Sequence, residues 1–215
     1  LERVRPDFVQ CDGKGHRGLA SYPTRVGTPA PGFVQDPLKL WREITAEYGV
    51  SLYVHYSGVI DREAVARHPD WAALDAEGKP YPSGATSVFG PYVDELMLPM
   101  LKELVDEYGV DGAWIDGECW GLEMDYSKHA RNAWNEATGL ETMPVEPDDP
   151  NDERFREFQR EGFRRYLAHY VDEMRAYAPD FEVASNWAYT AHMPEPVKTN
   201  VAFLSGDVTP QNALM

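Results

Sequence analysis

Positive charge is scarce in this chain. Only 20 Lys and Arg stand against 36 Asp and Glu among 215 residues, a formal net charge of −16. Nucleic acid and anionic membrane surfaces both require a basic patch, so neither is an expected partner. No apolar run approaches the roughly 20 residues that cross a bilayer, and no signal peptide is visible behind Leu1. The compartment stays open between cytoplasmic and secreted bacterial, and a homo-oligomer is left open. Cysteine is nearly absent: Cys11 and Cys119 belong to no CxxC or His-rich pattern, and the six histidines show no HExxH spacing. No metal and no other cofactor is therefore expected. Each thiol falls near a strand end and reads as reduced and partly buried, with a disulfide left open. A Gly-rich phosphate loop is also missing. CDGKGHRG has spaced glycines but neither GxGxxG nor GxxxxGK[ST].

Alternating strand and helix signals are present throughout. Residues 7 to 11 form a short strand candidate. Asp36 and Pro37 open a helix that Gly49 ends, since Asp caps and Pro suits the first turn. The β-branched and aromatic run at residues 50 to 57 is a strand. Residues 91 to 108 carry apolar side chains at helical spacing, and Pro99 should kink that helix. A strand at 110 to 116 follows. A polar loop then runs from about 121 to 152, with a short helix around 127 to 138. An amphipathic helix at 153 to 177 leads to strands at 181 to 187 and 201 to 207. EYGVSLYV and EYGVDGAW each mark a helix end, a Gly stop and a strand start. Strands separated by helices imply βαβ units and a parallel sheet. The expected fold is α/β, a (β/α)8 TIM barrel, which typically needs about 250 residues and eight strands. The chain accordingly reads as one barrel domain over 1–215, a partial barrel of about five strands and a segment of a longer protein. A complete doubly wound sheet is the alternative.

The stretch YGVDGAWIDGECWG concentrates the chemistry. Strand parity turns Val110, Gly112, Trp114 and Asp116 to the barrel interior and Ala113 and Ile115 to the helices. Asp116 then emerges at the carboxyl end of its strand, where barrel enzymes keep their sites, beside Trp114 and Trp120. Two acids and stacking indoles suit a sugar-cleaving site, although an Asp at a strand end also serves as a plain loop cap. Glu118 is a proton donor, a hydroxyl acceptor or an ordinary loop residue. His55 shares the inward parity of Tyr53 and Ser57 and reads as a sugar-hydroxyl partner or a buried, satisfied histidine. Lys14, His16 and Tyr22 lie after the first strand in a Gly-dense segment and read as substrate binders or a solvated turn. Trp71 forms a wall of the site or a plug beneath its loop. Asn186 and Trp187 close the fourth strand, and Asp207 at the end of the fifth is a second candidate acid.

With these residues placed, the chain resembles the α-L-fucosidase-type glycoside hydrolases, related to glycoside hydrolase families 29 and 151. The resemblance rests on KGHRGLASYPTRVG, VHYSGVIDREAVARHPDW, DGAWIDG and FLSGD, in that order over most of the chain. It implies a retaining exo-glycosidase acting on a terminal sugar, with Asp116 as the nucleophile in a Trp-Ile-Asp context. A second carboxyl would serve as acid and base, with Glu118 preferred and Glu153 and Asp207 behind it. The family's tandem-histidine fucose site has no full match, Lys14 and His16 standing nearby with Gly15 between them. A β-galactosidase-like barrel with two glutamates is a second enzymatic reading, and the absence of an obvious Asn-Glu pair at a strand end counts against it. A carbohydrate-binding barrel without catalysis is the reading from another class.

Overall fold

A computed structural model describes residues 1–187 and 195–205. Its frame is a single sheet in the order β3-β2-β1-β4-β5-β6-β7. The five expected strands are β1 (Phe8–Lys14), β4 (Ser51–Ser57), β5 (Gly112–Asp116), β6 (Glu182–Ser185) and β7 (Phe203–Leu204), paired in parallel. Two short strands, β2 (Leu19–Ala20) and β3 (Thr28–Pro29), extend the sheet beyond β1, β2 running antiparallel to it. Helices α1 (Pro37–Tyr48), α3 (Leu98–Tyr108) and α5 (Asp152–Tyr177) supply the crossovers. The architecture is that of a partial (β/α) barrel. Among the described residues no helix is long and apolar enough to cross a membrane.

Local chemistry sets the element boundaries. The Asp36 carboxylate accepts from the Leu38 and Lys39 N–H groups at 3.1 and 3.2 Å, and Pro37 occupies the first turn of α1. Gly49 ends that helix at φ +62°, a left-handed conformation that suits glycine. Pro99 does not leave a simple kink. A π-helical turn, Val93–Met97, precedes α3, and the Leu98 N–H bonds the Val93 carbonyl five residues back. The wider turn absorbs the missing N–H and the ring of a proline placed early in the following helix. Between β5 and α5, helix α4 (Lys128–Thr138) is capped by Ser127 and anchored by Trp134, which is fully buried against Phe155 and Phe158. The short helix α2 (Arg62–Arg67) follows β4 and is capped by Asp61.

One face of the sheet forms the core. Leu52, Val54 and Tyr56 of β4, Ala113 and Ile115 of β5, and Val183 of β6 meet Leu38, Met100, Leu101, Leu104, Phe163, Leu167 and Tyr170 of the helices. Val110 belongs to this helix-side core rather than to the barrel interior, because β5 begins two residues later, at Gly112. The opposite face carries Phe8, Tyr53, His55, Trp114 and Asp116, as parity requires. Gly112 is needed there, since a Cβ at its position would stand 2.3 Å from the Tyr53 ring.

Four residues expected at the substrate are instead part of the interior. The Lys14 ammonium is fully buried, pairs with Asp61 at 2.7 Å and lies 4.5 Å from the centre of the Tyr56 ring, with the Tyr92 hydroxyl oxygen at 3.1 Å. Tyr22 is fully buried and donates to Glu103 at 3.2 Å. Trp71 is buried against a stacked His68 ring and is the plug beneath its loop. Trp187 is buried on Phe163 and donates to the Glu195 carbonyl at 3.0 Å. A buried ion pair becomes costly when one partner is removed, because the other charge is stranded. Asp61→Ala, which also removes the cap on the Ala64 N–H at 2.8 Å, is expected to lower the unfolding free energy by about 3–5 kcal/mol. Urea denaturation measures this, and a loss below about 1 kcal/mol would contradict a structural role for the pair.

Candidate active site at the carboxyl ends of the strands

The parallel register brings polar side chains to one end of the sheet. Asp12 pairs with His55, His55 with Trp114, and Ser57 with Asp116 across β1, β4 and β5. His16 reaches in from the loop after β1, Trp120 from the loop after β5, and Asn186 from the end of β6. Asp116 is the hub. Its Oδ1 accepts from the Gly117 N–H at 2.7 Å, the Trp120 indole at 3.0 Å and the Asn186 amide at 2.6 Å. Its Oδ2 faces His55 Nε2 at 3.2 Å and His16 Nε2 at 3.4 Å. Gly117 adopts φ +64°, and a Cβ there would sit 3.0 Å from His16 Cε1, so both the turn and the approach of the imidazole require glycine.

This donor set decides the charge. Burial works against ionising Asp116, but hydrogen bonds from His16, His55, Asn186 and the Gly117 N–H outweigh it and hold the carboxyl well below the usual carboxylate range. His55 is caught between two carboxylates, with Nδ1 2.9 Å from Asp12 Oδ1 and Nε2 on Asp116. Burial alone would discharge the ring, yet its bonds to Asp116 and Asp12 push its pKa up to about 9. His16 Nδ1 lies 2.6 Å from Ser57 Oγ, whose own proton goes to the Ile60 carbonyl at 2.5 Å, so the hydroxyl is left to accept from the ring. The site is open on one side: the side chains of Asp116, His55 and His16 are 12, 19 and 35% exposed. Trp120 is also exposed, with its ring edge-on to His16 at 5.4 Å, and the Trp114 ring stands 5.3 Å from His55. Among the described residues, Trp114 Nε1 and Asn186 Oδ1 are buried without a hydrogen-bond partner. No group of His, Cys, Asp and Glu among them has the arrangement of a metal site.

Of the expected site residues, Asp116, His16, His55, Trp114, Trp120 and Asn186 come together. Glu118 does not join them. Its carboxyl is fully buried, accepting from the Tyr170 hydroxyl and, at 2.7 Å, from Ser185 Oγ, so it cannot reach a substrate. Burial, with the Asp116 charge adding to it, pushes its pKa up to about 7. Glu118 is a fastener between the β5 loop, β6 and α5. Glu153 is exposed in the first turn of α5, beside the Trp134 cluster. Asp207 lies outside the described residues. Cys119 Sγ donates to the Asn186 carbonyl at 3.0 Å, and Cys11 is half-buried on β1. Asp12 was not among the expected site residues, because the strand was taken to stop at Cys11. Extending β1 by one residue gives Asp12 the inward parity of Phe8 and Gln10.

The chain is similar in three dimensions to solved TIM-barrel glycosidases. It matches the α-L-fucosidase isoenzyme 2 from Paenibacillus thiaminolyticus with a TM-score of 0.62 and 21% identity, over 84% of this chain and 27% of that one. The glycoside hydrolase domain of PgaB (BpsB) from Bordetella bronchiseptica gives 0.61 and 15%, over 86% and 57%. The cold-adapted β-galactosidase from Rahnella sp. R3 gives 0.58 and 15%, over 96% and 35%. The chain thus spans well under two thirds of each of these proteins. No protein-family model matches it, and no curated protein matches it in sequence. The fold is therefore that of a partial TIM barrel.

Glu118 makes one aspect of the site measurable without a substrate. A carboxyl whose pKa is raised on folding stabilises most when both states are protonated, and this contribution is lost as pH rises from the ordinary value of 4.5 through about 7. Glu118→Gln keeps the shape and cannot ionise. Urea unfolding at pH 5 and pH 8 should show a smaller loss of stability for Glu118→Gln than for the wild type. Parallel profiles would mean that the Glu118 carboxyl is not sealed as described.

Proposed function

We propose that this chain carries the nucleophile side of a retaining exo-glycosidase site, that its substrate is a terminal sugar, and that the sugar is α-L-fucose or a close relative. The observation that supports this reading best is the state of Asp116: an ionised carboxylate, partly open to solvent, at the carboxyl end of a central barrel strand. A group that must attack an anomeric carbon has to be charged and fixed before substrate arrives. Asp116 would form the bond to that carbon as the glycosidic bond breaks, the leaving oxygen taking a proton from an acid. Water would then cleave the glycosyl-enzyme, giving retention. The partly exposed His16 ring offers a hydroxyl-binding group beside His55, and Trp114 and Trp120 offer apolar faces to the sugar. The preference for fucose rests on the sequence resemblance and on the fold likeness to a fucosidase.

Glu118 is set aside as the acid because its carboxyl is sealed. Asp207 remains a candidate. Asp12 is held below its ordinary value, chiefly by its hydrogen bond to His55, and so stands as a carboxylate rather than a proton donor. That observation favours one second reading, a carbohydrate-binding barrel without catalysis. Among the described residues, no protonated carboxyl faces Asp116.

The test is release of aryl alcohol from a panel of aryl glycosides, α-L-fucoside first, by the full-length protein and its Asp116→Gly variant. The expected result is wild-type turnover that the variant loses by on the order of 10⁴-fold or more. Added azide should then restore it by taking the vacated place of the nucleophile. Retained activity in Asp116→Gly would overturn the assignment. No release from any glycoside, together with measurable fucose binding by calorimetry, would establish the binding reading.

A further inference from the structure

The mechanism above uses Asp116 and leaves unexplained why a second carboxylate is aimed at the far nitrogen of His55. Neither nitrogen of that ring is free: Nδ1 meets Asp12 at 2.9 Å and Nε2 meets Asp116 at 3.2 Å. A neutral imidazole donates from one nitrogen only. With Nδ1–H on Asp12, its Nε2 lone pair would confront the Asp116 carboxylate; with Nε2–H on Asp116, its Nδ1 lone pair would confront Asp12. Only the doubly protonated ring satisfies both. Asp12 is itself fixed, accepting from the Ser21 hydroxyl, yet its side chain is 53% exposed.

We propose that Asp12 is a positioning residue for the nucleophile: it binds the far side of His55 and so commits both ring N–H groups to carboxylates, with the charged face of the ring held against Asp116. The groups that face His55 are Asp12 from β1, His16 from the loop after β1, with ring centres 6.0 Å apart, and Asp116 with the uncharged Trp114 ring from β5. Of these, only Asp12 and Asp116 are anions, and only Asp12 is free of the proposed attack on the sugar. Its charge therefore persists when Asp116 becomes an ester in the glycosyl-enzyme. His55 keeps an anionic partner at that stage and stays in place to receive the carboxylate when water releases the sugar. The elevated titration of His55, to about 9, agrees with this geometry. The catalytic consequence rests on Asp116 being the nucleophile, whereas the linkage of Asp12 to His55 does not.

The experiment is a nitrogen-detected NMR titration of the His55 ring, assigned with His55→Gln, in the full-length wild type, Asp12→Asn and Asp12→Glu. The wild-type ring should remain doubly protonated at pH 8. Asp12→Asn should lower its midpoint by a unit or more, and Asp12→Glu, which keeps the anion, should restore most of the shift. Where an aryl glycoside is turned over, the alkaline limb of kcat/KM should move down with the ring in Asp12→Asn. A His55 midpoint that Asp12→Asn leaves unchanged, or a wild-type ring already neutral at pH 8, would overturn the proposal. Absence of turnover would count against the glycosidase reading alone, since the ring titration still decides whether Asp12 governs His55.

Discussion

The site depends on keeping one carboxylate charged in a place that is mostly out of water. Asp116 is a poor candidate for ionisation by burial alone, and it is ionised because donors from several separate elements converge on it. Each donor fixes a piece of backbone. The Asn186 amide sets the end of β6, the Trp120 indole folds the loop after β5 back over the strand, His16 holds the loop after β1, and His55 locks β4 in register with β5. The carboxylate is thus both the reactive group of the proposed mechanism and the point where the strand ends are tied together. In the proposed mechanism, a sugar hydroxyl that approached the imidazoles would compete for donors that Asp116 already uses, coupling binding to the strength of the nucleophile.

Beneath that layer lies a second polar layer with a different purpose. Lys14 with Asp61, and Glu118 with Tyr170 and Ser185, are fully buried and fully partnered. They pin the loops after β1, β4 and β5 to the helix side of the sheet, and the loops after β1 and β5 in turn present His16 and Trp120 on the other side. Such buried polar groups add little net stability compared with apolar packing, but they are costly to break singly, and so they hold loop positions. The two layers account for the mixture of acids, histidines and aromatics around every strand end. About half of those residues face the open site and half serve the interior.

That division explains what was legible in the sequence. The β4 and β5 strands, the caps of α1 and the position of Asp116 with Trp114 and Trp120 follow from alternation, Asp-Pro and Gly signals, and these local rules held. His55, Trp114 and Asp116 converge because strand parity carries their direction, while His16, Trp120 and Asn186 lie beyond strand ends and are brought in by their contacts with Asp116. Lys14, Tyr22, Trp187 and Glu118 turn inward unannounced because each lies at or just past a strand end, where parity no longer says to which side the chain turns, whereas Trp71 takes the plug position that its loop left open. The partners of Lys14, Tyr22, Trp187 and Glu118, namely Asp61, Glu103, Phe163 and Tyr170, are distant in sequence, and no local pattern announces a buried ion pair. Asp12 was overlooked for the opposite reason: its strand runs further than the apolar pattern. The π-turn before Pro99 was read as a kink because sequence marks where a proline disturbs a helix and not how the backbone absorbs it.

In the proposed mechanism Asp116 forms a covalent bond to the sugar. The most direct measurement is trapping with a 2-deoxy-2-fluoro-α-L-fucosyl-type fluoride, whose fluorine slows release of the glycosyl-enzyme, followed by proteolysis and mass spectrometry. The expected result is a single fluorosugar adduct on the peptide containing Asp116, localised to that residue. An adduct on another residue, or continued turnover of the fluorosugar with no adduct at all, would contradict it.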